Sequence, residues 1–236
     1  MIIRGLLKTS TADYPSKISA VVFTQGCNFH CPYCHNPRLV GPGVETLDQA
    51  EVLAFLKKRR GVLDGVVVSG GEPTIHNDLP GFVARVKDLG YPVKLDTNGS
   101  NPGVLALMLD RGLLDYVALD LKADPGGYPE VMADPRLSAN VPLSLKILQD
   151  GLVPAEFRTT CAAPFIDERS IKCIAEAAAG DKTLYLQQYR PESVLNPGFM
   201  GLHPDQPEEG DLEKFRRIAE SHLPCRIRNY QRTPGD

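Results

Sequence analysis

The amino-acid sequence predicts an α/β fold, a single unit over residues 1–236 built as a partial or open (β/α)6 barrel. Six short apolar runs of strand type alternate with helical stretches, the pattern of βαβ units around a parallel sheet. Polar motifs recur where those strands end, which is where parallel α/β folds gather their ligands. The length of 236 residues falls within the roughly 200 to 250 that α/β barrels use as one unit. Six repeats are too few to close an eight-fold barrel.

ISAVVFT (18–24) is the first strand, an apolar run feeding a cysteine cluster. TLDQAEVLAFLKKRRG (46–61) follows as a helix, with Thr46 as N-cap, Leu53 and Leu56 on one face and Gly61 as its stop. DGVVVSGG (64–71) is a buried strand, DLPGFVARVKDLG (78–90) a helix and YPVKLDTNG (91–99) a strand. NPGVLALMLDRG (101–112) is a helix with Pro102 near its first position, and DYVALDLKA (115–123) is the next strand. LSANVPLSLKILQDG (137–151) turns helical in its second half, because Pro142 is tolerated only early in a helix. AEFRTTC (155–161) and TLYLQQYR (183–190) are the last two strands, separated by the helix DERSIKCIAEAAAG (167–180). GDLEKFRRIAESHL (210–223) closes as an amphipathic helix. The Pro-rich stretch from Pro191 to Pro207 is the least regular part and reads either as a segment wandering over the surface or as cover over an opening.

Apolar residues make up 42% of the chain, enough for a sizeable core. A formal charge of -3 gives no electrostatic reason to expect nucleic acid or an anionic membrane as partner. The first residues are broken by Arg4 and polar by Thr9, so they lack the apolar core of a signal peptide. No apolar run approaches the ~20 residues of a membrane-spanning helix. The expectation is a cytoplasmic protein. In that reducing compartment clustered cysteines read as metal ligands or redox groups rather than disulfides.

Three of the six cysteines crowd into CNFHCPYCHN (27–36), spaced C-x3-C-x2-C. Thiolates select zinc, copper(I) or iron–sulfur clusters. Cys27, Cys31 and Cys34 with His30 or His35 would make a structural zinc site, which wants four protein ligands. Alternatively the three cysteines wrap one corner of a [4Fe-4S] cluster and leave one iron open to a substrate or cofactor. Cys161, Cys173 and Cys225 stand apart in sequence and read as buried thiols, which argues against a second, ferredoxin-like cluster. Downstream, SGGEP (69–73), DTNG (96–99) and DLK (120–122) mark three further strand ends. Each alone is common turn or cap chemistry. Four polar loops at one rim would form one site.

Together, the cysteine spacing with an aromatic before the third cysteine, then GGEP, DTNG and DLK, resembles the radical S-adenosylmethionine superfamily. The chain is most similar to the activating enzymes of glycyl radical enzymes, and among them to the anaerobic ribonucleoside-triphosphate reductase activating proteins. TADYPSKISAVVFTQGCNFHCPYCHNP (11–37) carries most of that likeness. The resemblance implies a partial (β/α)6 barrel of the radical S-adenosylmethionine type. It implies that Cys27, Cys31 and Cys34 bind a [4Fe-4S] cluster whose open iron takes the amino and carboxylate groups of S-adenosylmethionine. Tyr33 and His35 would lie against the adenine, and Gly70, Gly71 and Glu72 would hold the methionine amino group. Asp96, Thr97 and Asn98 match a ribose-side and cation-side motif, and Asp120 with Lys122 matches the activating enzymes' DLK. A monovalent cation beside the methionine carboxylate would sit on such carboxylates. Arg158 and Arg190 match only by position, as basic residues near the cofactor carboxylate or as rim ion pairs. Asp13 and Tyr14 are candidates to contact an incoming substrate loop.

The activity so implied is reductive cleavage of S-adenosylmethionine, with the resulting 5′-deoxyadenosyl radical abstracting a Cα hydrogen from a glycine of the reductase. A flavodoxin- or ferredoxin-type protein would donate the electron. Formate-lyase activating enzymes carry a DGPG-like run where this chain has Asp13, Tyr14, Pro15 and Ser16, and a histidine where it has Arg190. Two alternatives remain at this level: a radical enzyme acting on a small molecule, as in a deazapurine-type ring contraction, and a zinc-stabilised binding module without catalysis.

Overall fold

The computed structural model describes the whole chain except Pro42, Val44, Leu152 and residues 229–236. The chain opens with β1 (Ile3–Ser10), a strand the sequence reading missed, which runs antiparallel to β2 (Ser19–Thr24). Then come β3 (Gly65–Gly70), β4 (Val93–Thr97), β5 (Tyr116–Asp120), β6 (Ala155–Cys161) and β7 (Thr183–Gln188). With β2 these are the six expected strands. A short β8 (Cys225–Arg228), also unexpected, pairs with β7. Among the described residues one sheet holds all eight strands in chain order, β2 to β8 parallel. β1 and β8 are its two edges. The sheet is an open, partial barrel.

Helices fill the crossovers: α1 (Pro37–Val40), α2 (Gln49–Lys58), α3 (Leu79–Asp88), α4 (Pro102–Asp110), α5 (Pro135–Ser138), α6 (Val141–Asp150), α7 (Glu168–Ala177), α8 (Pro197–Gly201) and α9 (Glu209–Ala219). Prolines open several of them, where a missing N–H costs no hydrogen bond. Pro142 sits in the first turn of α6, as its chemistry requires. The cap of α2 is Asp48, whose carboxylate accepts from the Ala50 N–H at 2.6 Å, and not Thr46. α8 lies within the Pro-rich stretch.

Alternation along the strands separates two environments. Val22, Val68, Leu95, Leu119, Phe157 and Leu186 point outward and are buried in one core with the helices' apolar faces. The inward face is mixed. Val21, Val67 and Tyr14 form a small apolar cluster with Phe23 and Tyr116, and charged side chains fill much of the rest. Cys161 and Cys225 are buried thiols as expected, but Cys173 is only half-buried on α7.

Candidate active site

A cavity of about 290 Å³ opens inside the barrel, lined from the ends of β2 to β7. The cysteine loop forms one wall. It is stitched to the end of β3 by backbone hydrogen bonds from Gly71 N–H to Thr24 O (3.0 Å) and from Glu72 N–H to Gly26 O (2.8 Å). This close approach is why both glycines are needed. A Cβ on Gly71 would lie 1.9 Å from Gly26 O, and one on Gly70, at φ +126°, would lie 2.3 Å from Thr24 N.

Cys27, Cys31 and Cys34 all line the cavity. Burial pushes the Cys27 thiol up to about 11 and Cys31 to about 12, against the pull of the Lys122 ammonium. Metal ligation therefore has to displace protons here. Three soft sulfur donors facing one cavity, with the cation Lys122 on its wall, suit an iron–sulfur cluster. Among the described residues no three His, Cys, Asp or Glu side chains gather for a single metal ion. His30 is exposed, and His35 is occupied elsewhere.

Glu72, fully buried, is saturated by its own chain. Its carboxylate accepts from Thr74 N–H (3.1 Å), the Thr74 hydroxyl (2.5 Å), the Thr97 hydroxyl (2.7 Å) and Asn98 N–H (2.6 Å). Burial raises its pKa, and these donors work the other way. Glu72 therefore ties the end of β3 to the end of β4. Asn98 continues the tie, donating to the Asn28 side chain at 3.0 Å, while Asn28 donates to Ser100 Oγ at 2.8 Å. Thr97 and Asn98 thus brace the cysteine loop as well as lining the cavity.

Below them lies a ladder of charge. Arg158 Nε donates to Asp120 at 2.8 Å and its Nη2 lies 3.4 Å from Asp96. Lys94, fully buried, pairs with the other oxygen of Asp96, Ser69 Oγ donates to Asp96 at 3.0 Å, and Lys122 lies 3.4 Å from Asp120. Burial alone would raise the Asp96 carboxyl, but Arg158 and Lys94 outweigh it and hold it at about 2. The Asp120 carboxyl is held low in the same way by Arg158 and Lys122. Asp96 and Asp120 thus stand together on neighbouring strand ends, already paired with three side-chain cations. Of the two arginines, Arg158 is inside the ladder.

Of the other expected positions, Tyr33, His35 and Asp13 line the cavity, whereas Arg190 and Tyr14 do not. Arg190 lies beyond the end of β7 at Gln188 and is not among the residues lining the cavity. Its backbone meets the His35 ring, whose Nε2 is 2.9 Å from Arg190 O and 3.2 Å from Arg190 N. That ring also stacks on Tyr189 and is largely exposed, although it borders the cavity. Tyr33 is buried, its hydroxyl donating to Lys122 O at 3.0 Å and its ring tilted against Phe165. Asp13 lines the cavity. Tyr14 does not: its ring is buried beneath, 6.0 Å from Tyr116, because the turn after β1 folds under the barrel. It offers no surface to a substrate.

Sequence reasoning missed Lys94, Ser69, Asn28, Thr160 and Gln187. The signal was available in part. Period-two alternation puts Lys94 and Asp96 on one face, and Arg158 and Thr160 on one face.

Residues 21–139 match the model of the radical SAM superfamily. The chain belongs to that superfamily. A protein of Methanocaldococcus jannaschii named "Putative glycyl-radical enzyme activating enzyme" is 32% identical over 94% of this chain and 93% of its own. One of Thermococcus kodakarensis named "Probable GTP 3',8-cyclase" is 33% identical over 83% of this chain and 65% of its own. SuiB of Streptococcus suis, solved with S-adenosylmethionine bound, shares the fold at a TM-score of 0.63 and 14% identity, over 89% of this chain and 50% of that one. Membership of the superfamily implies an enzyme with a [4Fe-4S] cluster and S-adenosylmethionine, and the cysteine wall fits both. No helix among the described residues is long and apolar enough to cross a membrane.

Proposed function

We propose that the protein generates a glycyl radical on a partner enzyme, anaerobic ribonucleoside-triphosphate reductase, by taking hydrogen from a glycine Cα. One observation carries this reading. The chain and the Methanocaldococcus protein named for that activity match over nearly their whole lengths, 94% and 93%. The likeness of 11–37 to the reductase activating proteins points to the partner. The open sheet supports it, because an unclosed side admits a backbone loop that a closed barrel would exclude.

When bound, the cluster and S-adenosylmethionine supply the hydrogen-abstracting radical after a flavodoxin- or ferredoxin-type protein delivers one electron. The chain's own residues bind and orient. Cys27, Cys31 and Cys34 would hold the cluster, and the Gly70–Gly71 backbone would let the cofactor's methionine end come close. Tyr33 and His35 would border the adenine, with Tyr33 excluding water through its packing on Phe165. Lys122 and Arg158 would offer positive charge to the methionine carboxylate. Asp96 and Asp120 offer hard oxygens to the ribose, or to a monovalent cation that shares them with Lys94 and Arg158. Glu72, Thr97 and Asn98 fix the loops that carry these groups.

Reduced anaerobic enzyme incubated with S-adenosylmethionine and the reductase should give a doublet in electron paramagnetic resonance. Replacing the reductase's C-terminal glycine with alanine should abolish it. Likeness to the GTP cyclase-named protein favours a small-molecule substrate as the second reading. 5′-Deoxyadenosine formed without that doublet, and stimulated by a metabolite, would favour the latter.

A further inference from the structure

Thr160 and Gln187 are register partners on β6 and β7, and both line the cavity. They stand one inward position beyond Arg158 and Tyr185, which are also partners. The charged groups below them on β4, β5 and β6 are paired: Asp96 and Asp120 with Arg158, and Glu156 with Arg228 at 3.0 and 2.9 Å. Among the described residues neither the Thr160 hydroxyl nor the Gln187 carboxamide has a hydrogen-bond partner. Neither residue is fully buried. Two neutral polar side chains thus face the cavity with their bonding capacity unused.

Their position adds to this. Gln187 pairs with Arg228, the last residue of β8, so it lies one strand in from that edge of the open sheet. A chain segment entering at the carboxyl ends of the strands would meet the pair.

The chemistry of the pair narrows what that segment offers. A glycine has no side chain to grip, so an enzyme that selects one inside a polypeptide must read the amide groups beside it. A carboxamide presents a donor and an acceptor in one plane, matching a peptide unit, and a hydroxyl gives one more of each. A charged metabolite would call for charged partners instead. Resting on the reading of the substrate as a protein glycine, we infer that Thr160 and Gln187 bind the main chain of the polypeptide segment that carries it.

The test uses reconstituted holoenzyme with the reductase as substrate. Thr160→Val and Gln187→Leu each remove hydrogen bonding with little change in bulk, and Gln187→Glu keeps acceptors while losing the donor. Each neutral hydrogen bond lost should raise the reductase concentration for half-maximal radical formation about three- to ten-fold. The double variant should raise it more, and Gln187→Glu less than Gln187→Leu. Iron content, melting temperature and the dissociation constant for S-adenosylmethionine should stay at wild-type values. Half-saturation unchanged in the double variant overturns the assignment, and so does cofactor affinity falling in step with it, which would place the pair in the cofactor site. If the wild-type enzyme yields no radical on the reductase, the proposed function falls and takes this inference with it. Wild-type success with indifferent variants removes the inference alone.

Discussion

Asp96→Asn keeps the shape of a buried interior group and removes its charge. The Asp96 carboxyl is held at about 2 because Arg158 and Lys94 outweigh the cost of burying it, whereas an unfolded aspartate titrates near about 3.9. The folded value is the lower one. Its contribution to stability is therefore fully present above about pH 4 and is lost as pH falls through about 2. A gap of nearly two units corresponds to about 2 to 3 kcal/mol at neutral pH and to about half that at pH 3. The variant lacks this contribution at every pH and also takes from fully buried Lys94 its paired carboxylate. Urea unfolding of the metal-free protein between pH 7 and pH 3 measures it. Wild type should exceed Asp96→Asn by about 2 to 3 kcal/mol at pH 7, or about 4 to 12 °C in melting temperature for a chain of this size, and the gap should halve by pH 3. A gap that does not change with pH, or no gap at pH 7, would refute the pairing argument.

Cys27→Ala, Cys31→Ala and Cys34→Ala should each abolish cluster assembly, and Cys161→Ala, Cys173→Ala and Cys225→Ala should not; iron and sulfide analysis of the six variants decides. Gly71→Ala should cost about 3 kcal/mol and most of the affinity for S-adenosylmethionine, because the new Cβ would lie 1.9 Å from Gly26 O; wild-type melting and affinity would contradict the close approach. Asp120→Ala should retain its cluster but bind S-adenosylmethionine weakly. Titrations of that variant and the wild type with and without potassium or sodium show whether a cation shares the carboxylates: wild-type affinity in the variant counts against the site.

How much of this was legible follows from where each element lies. β2 to β7 announce themselves because most of their outward residues are apolar and buried under helices, giving runs such as AVVF and VVV. β1 is an edge strand whose residues are mostly half-buried or exposed, with Gly5 and Lys8 within it, so no periodicity marks it. β8 is four residues long and carries two arginines, one of them turned inward onto Glu156. The strand-end motifs were readable because their chemistry is concentrated in a few adjacent residues. The inward polar residues were not, since Lys94, Thr160 and Gln187 look in sequence like the solvent-facing half of an alternating strand. Only the curvature of the sheet turns that half into a cavity wall. Tyr14 erred in the other direction: a tyrosine in a polar turn reads as exposed, and here the turn tucks beneath the barrel.

In a closed eight-stranded barrel, layers of branched apolar side chains fill the interior and set the strand positions. This sheet does not close, and among the described residues its interior holds one small apolar cluster, around Tyr14, Val21 and Val67. Hydrophobic contact there is too limited, and too undirected, to fix where each strand ends. The directional contacts are ionic. Arg158 on β6 bridges Asp96 on β4 and Asp120 on β5, and Glu156 on β6 receives Arg228 from β8 and the Tyr116 hydroxyl from β5. Each charge is buried with an opposite partner, the condition under which such groups are tolerated. The residues that would hold the cofactor are thus also among those that hold the strand ends in register. Neutralising one of them should therefore disturb folding and cofactor binding together, as Asp96→Asn is expected to do. Thr160 and Gln187 take no part in these pairs, so their loss should separate recognition of the substrate from both.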